Sequence, residues 1–229
     1  MLKGYGAVIL EGAWLTLQLA LSSMALAIVL GLIGVALRLS PVRQLAVLGD
    51  LYSTVIRGIP DLVLILLIFY GGQSVLNAVA PMVGYDDYIE LSPLAAGIGT
   101  LGFIFGAYLS ETFRGAFMAI PKGQSEAGMA YGMSRFNVFF RILVPQMIRL
   151  AIPGFTNNWL VLTKATALIS VVGLQDMMFK AKQAADATRE PFTFFLAVAA
   201  MYLVITSVSL LILRFIEKRY SVGVRAADL

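Results

Sequence analysis

The sequence predicts an all-α membrane protein that crosses the bilayer five times. Long charge-free apolar runs, an uneven placement of Lys and Arg, and a very low charged content carry that prediction. Of the 229 residues, 59% are apolar and only 13% charged, against about 25% charged in a soluble domain. Mean hydropathy is +0.86. The absence of both Cys and His excludes disulfides, thiol nucleophiles, imidazole bases and the usual transition-metal ligands. No G-x-x-x-x-G-K-[ST] occurs, so the chain does not cradle a nucleotide in the P-loop manner. With no nucleophile–base pair and no metal cluster in the sequence, an enzyme is the least favoured class, with no catalytic and no metal residues expected.

Residues 12–37, 62–85, 91–110 and 191–213 contain no charge, and 150–175 is interrupted only by Lys164. About 20 helical residues cross a hydrocarbon core of about 30 Å, so each run is long enough. The expected spans are 12–37, 62–85, 91–113, 148–173 and 191–214, in one domain covering 1–229. The first run is too long for a secretory signal and meets Arg38-Leu39-Ser40-Pro41 without a small-residue cleavage site, so it reads as an uncleaved span. Gly99, Gly102 and Gly106 give the third span a face of small residues for close helix packing.

The connections fix the orientation. Arg38, Arg43 and Arg57 follow the first span; Arg114, Lys122, Arg135, Arg141 and Arg149 follow the third; Arg214, Lys218, Arg219 and Arg225 follow the fifth. The other side holds Lys3, Lys180, Lys182 and Arg189, twelve basic residues against four. Positive charge stays inside, so the amino terminus is periplasmic and the carboxyl terminus cytoplasmic. The pI of about 9.4 is therefore a topology signal, not a nucleic-acid patch.

The segment 121–145 lies on the inner side between the third and fourth spans. Pro121-Lys122-Gly123 breaks the preceding helix, and residues 124–131 suit a short helix. Gly132 permits a turn, and Ser134 suits an N-cap. Phe136, Phe139, Phe140 and Leu143 then recur at helical spacing, and Pro145 is expected to close the stretch. Spacing alone leaves two readings: an interfacial connector, or a lever moved by another protein.

Glu126, Ala127, Gly132, Ile142 and Pro145 resemble the E-A-A-x3-G-x9-I-x-L-P signature of permease subunits of bacterial binding-protein-dependent ATP-binding-cassette importers. Gly128 and Val144 are conservative departures. Four further stretches are similar to the polar amino-acid branch: YSTVIRGIPD at 52–61, YLSETFRGAFMAIP at 108–121, PGFTNNW at 153–159 and RYSVG at 219–223. Within it the chain looks like the Q-type permeases of histidine/lysine/arginine/ornithine transporters, with octopine and nopaline permeases as near neighbours. The resemblance implies a type I importer permease of the bacterial inner membrane. It also implies two copies of a cytoplasmic ATPase that bind ATP and Mg and grip 126–145, and a periplasmic amino-acid-binding protein. No cofactor is implied in this chain itself.

For substrate contact the sequence offers Asp61 first. Pro60 keeps Ile59 out of the helical region, and broken backbone at membrane depth lines protein or a cavity. The resemblance puts Asp61 in the substrate cavity, where it would pair with a cationic side chain. An acid at a helix start is also favoured by the macrodipole alone. Main-chain N–H groups at Gly58 and Ile59 are candidates for the substrate carboxylate. Glu111 and Arg114, three apart, read as an ion pair or as gate residues. Lys164, with Asn157, Asn158 and Trp159 earlier in the same span, either serves the substrate or snorkels. Homodimeric permeases of this branch often carry carboxylates at the positions of Asn158 and Ala165. Both are neutral here, which implies that a second, non-identical permease supplies the acid. An ion-coupled carrier is disfavoured by the lack of an internal repeat.

Overall fold

A computed structural model describes residues 4–85 and 87–220. Lys3, Asp86, Arg225 and residues 221–223 of the closing motif lie outside the described residues. The helices are α1 (Gly6–Arg38), α2 (Arg43–Gly58), α3 (Asp61–Val79), α4 (Pro93–Met118), α5 (Lys122–Ala130), α6 (Arg135–Val138), α7 (Val144–Ala165), α8 (Met177–Thr188) and α9 (Pro191–Tyr220). A π-turn, Phe139–Leu143, joins α6 to α7. Five helical stretches are long and apolar enough to cross a membrane: Gly6–Arg38, Asp61–Met82, Pro93–Met118, Arg135–Val172 and Pro191–Tyr220.

α1 and α4 overrun their charge-free runs, and the charges within them are paired. Glu11 on α1 meets Lys180 of α8 at 2.6 Å, and Glu111 on α4 is bound by arginines described below. The fourth span departs most from expectation. Pro145 does not close the preceding stretch: helix continues from Arg135 through the π-turn into α7. Proline lacks an N–H, which costs little in the first turn of a helix, and the wider turn before it removes the demand for a bond there. The amphipathic stretch is thus the foot of the fourth span rather than a separate surface helix. Two helices lay outside the expected elements. α2 is amphipathic and packs beside α1 and α4; α8 packs against α1 and α9.

The centre of the bundle is the pair α1 and α4, which run parallel. A Cβ on Gly102 would meet Leu26 Cδ2 at 2.6 Å, and one on Gly106 would meet Leu30 Cβ at 2.7 Å. In return, Gly31 receives Leu109 at 2.8 Å and Gly34 receives Ser110 at 2.8 Å. Backbones thus approach as closely as small residues allow. Gly99 is not part of this seam, having nothing within 4 Å. Leu19, Ala27, Leu101, Ile104, Phe105 and Leu109 are buried around the seam.

A second cluster, including Ile9, Met177, Ala181 and Phe194, docks α8 on α1 and α9. There Gly12 lies 2.8 Å, at its would-be Cβ, from Met177 Cα. The fully buried Asp176 caps α8, its Oδ1 accepting from the Phe179 N–H at 2.9 Å. Burial pushes this carboxyl up to about 6 against the opposing pull of the Phe179 and Met178 N–H groups. Its Oδ2 has no partner among the described residues.

Candidate functional site: a polar recess and an exposed helical hairpin

Glu111 stands on α4, one turn before Arg114, and gathers arginines from three helices. Its Oε1 accepts from Arg114 Nη2 at 2.6 Å; its Oε2 accepts from Arg38 Nη1 at 2.6 Å and faces Arg57 Nη1 at 3.3 Å. Arg38 also donates its Nε to Asp50 Oδ1 at 2.7 Å and its Nη1 to Ser53 Oγ at 3.4 Å. The sequence-expected Glu111–Arg114 pair is present, and it ties α1, α2 and α4 together.

Beside this cluster is a recess of about 450 Å³ lined by Arg57, Tyr108, Glu111, Thr112, Asn157 and Asn158, among others. Its walls are polar on both α4 and α7, unlike the apolar grooves elsewhere on the bundle. Asn158 is nearly buried, and its Nδ2 donates to Thr112 Oγ1 and Gly154 O, both at 2.9 Å. Its Oδ1 makes no hydrogen bond among the described residues. The Arg57 guanidinium sits 5.7 Å from the centre of the Tyr108 ring, within cation–π range.

The break expected around Pro60 is present. α2 ends at Gly58, Ile59 and Pro60 are extended, and Asp61 opens α3 half-exposed. Asp61 and Arg57 flank this break and both act electrostatically on Tyr108. The main-chain groups around the break differ in what they offer. Gly58 closes a helix, where carbonyls are the free groups. The Ile59 N–H makes no bond among the described residues, and those of Asp61 and the next two residues are unbonded as well, since the first bond of α3 is Leu64 N–H to Pro60 O at 3.1 Å. An anion there would face the Asp61 carboxylate.

The residues of the fourth span separate. Asn158 lines the recess, but Trp159 is buried in the core and faces an apolar groove with Met24, Phe155 and Ile212. Lys164 is exposed farther along α7, beside Met178, Phe195 and Tyr202. The recess therefore brings Asn157 and Asn158 together with Arg57, which sequence reading assigned to topology, Glu111, read there as an ion pair or gate residue, and Tyr108, given no role of its own. The opposite signs of Arg57 and Asp61 across a proline were the available signal.

At one end of the bundle α5 and the α6 foot form a helical hairpin. Gly132 has φ +80°, and two bonds complete a Schellman motif: Gly132 N–H to Met129 O at 2.9 Å and Met133 N–H to Gly128 O at 3.1 Å. Ser134 Oγ accepts from the Asn137 N–H at 3.3 Å as the N-cap. Gly128 is buried against Ile142, whose Cδ1 would lie 2.7 Å from a Cβ there. Glu126 and Ala127 are exposed. So are Tyr131, Phe136, Phe139 and Phe140, with the Phe136 and Phe140 rings 4.5 Å apart. A tight hairpin that joins α5 to the foot of the fourth span and leaves these aromatics unburied at one end of the bundle is a candidate interaction surface.

Membrane helices flanking an open, half-polar recess, with such a hairpin at one end, are an arrangement that suits a solute permease. The chain belongs to the family of binding-protein-dependent transport system inner membrane components, which matches residues 14–222, and is thus a multi-pass inner-membrane protein. It is 52% identical to the histidine/lysine/arginine/ornithine transport system permease protein HisQ of Escherichia coli, over 100% of both chains. It is 39% identical to the octopine transport system permease protein OccQ of Rhizobium radiobacter, over 97% of this chain and 94% of the relative. The crystal structure of an amino acid ABC transporter with histidines superposes with a TM-score of 0.80 at 26% identity, covering 94% of this chain and 95% of that one. An inward-facing MetNI methionine ABC transporter, at 0.77 and 19% identity, shares the fold.

Proposed function

We propose that this chain is the translocation subunit of an ATP-driven importer of basic amino acids: arginine, lysine, ornithine and histidine. The end-to-end 52% identity to a permease of that transport system carries the reading. The chain itself performs no catalysis. Two copies of a cytoplasmic ATPase bind ATP and Mg and grip the hairpin through Glu126, Ala127, Gly128, Gly132, Ile142 and Pro145. A periplasmic binding protein delivers substrate to the opposite face. ATP-driven closure draws the hairpins together and opens the outer mouth; hydrolysis resets the inward-facing state.

The partner is a second, non-identical permease. Arg38, Arg57 and Arg114 outnumber Glu111 and Asp50 around the recess, so a cationic substrate needs further negative charge. Asp61 supplies part of it. Asn158 and Ala165 supply none, which leaves the remainder to the partner. Lys164, exposed and away from the recess, is assigned to that partner's surface rather than to substrate.

The test is ATPase stimulation in proteoliposomes holding this chain, a partner permease, the ATPase and the binding protein. Arginine, lysine, ornithine and histidine are expected to stimulate, and octopine and nopaline to fail. Stimulation by opines alone would replace the reading with an opine permease, the second reading that the 39% relative favours. Full transport by a complex containing only this permease would overturn the mixed pair. Asp61→Asn is expected to weaken cationic substrates about tenfold more than neutral ones, the order of one charge-assisted contact; equal loss makes Asp61 structural.

A further inference from the structure

We propose that Arg57 is the residue that receives the α-carboxylate of the transported amino acid, leaving Glu111 to do so. This rests on the reading of the chain as an amino-acid permease.

Three arginines meet Glu111, and they are not equivalent. Arg38 is 9% exposed in its side chain and spends its donors on Glu111, Asp50 and Ser53. Arg114 is held at 2.6 Å by Glu111 and reaches Met118 Sδ at 2.8 Å. Arg57 is 39% exposed, makes one ion pair at 3.3 Å, and donates no side-chain hydrogen bond among the described residues. It alone keeps its planar fork free, and that fork matches a carboxylate bidentately. Its withdrawal leaves Glu111 with two partners at 2.6 Å. The residue is a tethered cation on a weak hold, at the wall of a polar recess that fits a small zwitterion.

The neighbours complete the pattern. Tyr108 lies beneath the guanidinium, its ring centre 5.7 Å away. Asn158 Oδ1, with its amide nitrogen already committed, is an acceptor for the α-ammonium group. Asp61 opens α3 across the break from Arg57, outside the recess wall itself, and is the acid nearest in sequence for the cationic side chain.

The experiment compares direct binding of arginine and agmatine, its decarboxylated amine, to the assembled importer without binding protein. The wild type is expected to prefer arginine on the order of 10- to 100-fold, the size of one charge-assisted bidentate contact. Arg57→Gln should erase that preference by weakening arginine while sparing agmatine; Arg57→Lys, which keeps the charge, should retain part of it. Equal binding of the two ligands by the wild type overturns the assignment. So does a preference that survives Arg57→Gln, or an equal loss of both ligands with the complex intact. If only neutral amino acids bind, the basic-substrate reading fails by itself. Arg57→Gln must then still erase preference for the neutral amino acid over its amine.

Discussion

α4 and α9 are both apolar helices long enough to cross a bilayer, yet 61% of the apolar window of α4 is buried within the chain against 6% for α9. The more buried α4 is the less apolar of the two, so burial here follows residue size and charge pairing and runs against hydropathy. α4 meets α1 through glycines that take Leu26 and Leu30 at contact distances, and it carries the Glu111 cluster. α9 exposes Leu203, Val204, Leu211 and Phe215, and α3 resembles it with 11% buried. Hydropathy finds membrane helices; small residues and paired charges identify those that hold the subunit together. The outer helices present their apolar faces to lipid or to a partner.

The largest expected effect at the inner pair is at its ion cluster. Glu111→Gln leaves Arg38 with the exposed Asp50 as its remaining carboxylate and takes the carboxylate from Arg114 and Arg57, a loss of charge-assisted contacts that should cost about 3 kcal/mol. Thermal unfolding in detergent checks this, and a shift no larger than that of Arg57→Gln would deny the cluster its structural role.

Next is Asp176, where α8 docks on α1. Its folded carboxyl is raised to about 6 from 3.8, so the folded state binds more protons than the unfolded chain between those values. Stability therefore falls as pH rises through that window, by at most about 3 kcal/mol. Asp176→Asn keeps the cap acceptor and should flatten the profile between pH 4 and 7 while raising the midpoint at neutral pH. An unchanged slope would show that another group titrates.

A bulkier seam comes third: Gly102→Val should cost about 1–3 kcal/mol by overpacking. Gly71→Ala and Gly72→Ala in α3, with open space at both positions, should be neutral or stabilise by up to about 1 kcal/mol. Similar effects at all three sites would abolish the contrast between inner and outer helices. In the hairpin a backbone effect and a coupling effect separate, and the smallest stability change of all is at Glu126. Gly132→Ala should cost about 1–2 kcal/mol through its positive φ. Glu126→Lys, on an exposed face, should leave the unfolding midpoint within about 0.5 kcal/mol while lowering ATPase coupling. Normal uptake with Glu126→Lys would remove this residue from the coupling surface.

The five spans were legible because lipid demands long uncharged runs, and the parallel course of α1 and α4 agrees with their alternation. The hairpin was legible residue by residue, from the turn at Gly132 to the cap at Ser134. α2 and α8 were not, since both are short and mixed in polarity, and their burial depends on α1 and α4 or α9. Pro145 misled because a proline stops a helix only when its missing N–H and ring meet a regular turn, and the π-turn ahead of it is not regular. The recess was half legible. Asp61 and Asn158 stood out as polar groups in apolar surroundings. Arg57 and Glu111 were hidden because their role depends on three helices converging, which no local spacing encodes. Trp159 and Lys164 share a span with Asn158 but point elsewhere around the helix, and one residue of rotation separates wall from core.

The unbroken run from Arg135 to Ala165 gives the fourth span the properties of a crank. Its foot carries the unburied rings of Phe136 and Phe140, and its shaft carries Asn158. At 1.5 Å per residue these stations lie about 33 Å apart along one axis. Between the foot and the recess wall the shaft is weakened at Pro153, which removes one helical bond, and at the wider coil of Phe139–Leu143, its joint. Tightening that joint by deleting one residue would rotate everything above it by about 100°, turning Asn158 away from Thr112 without touching either end.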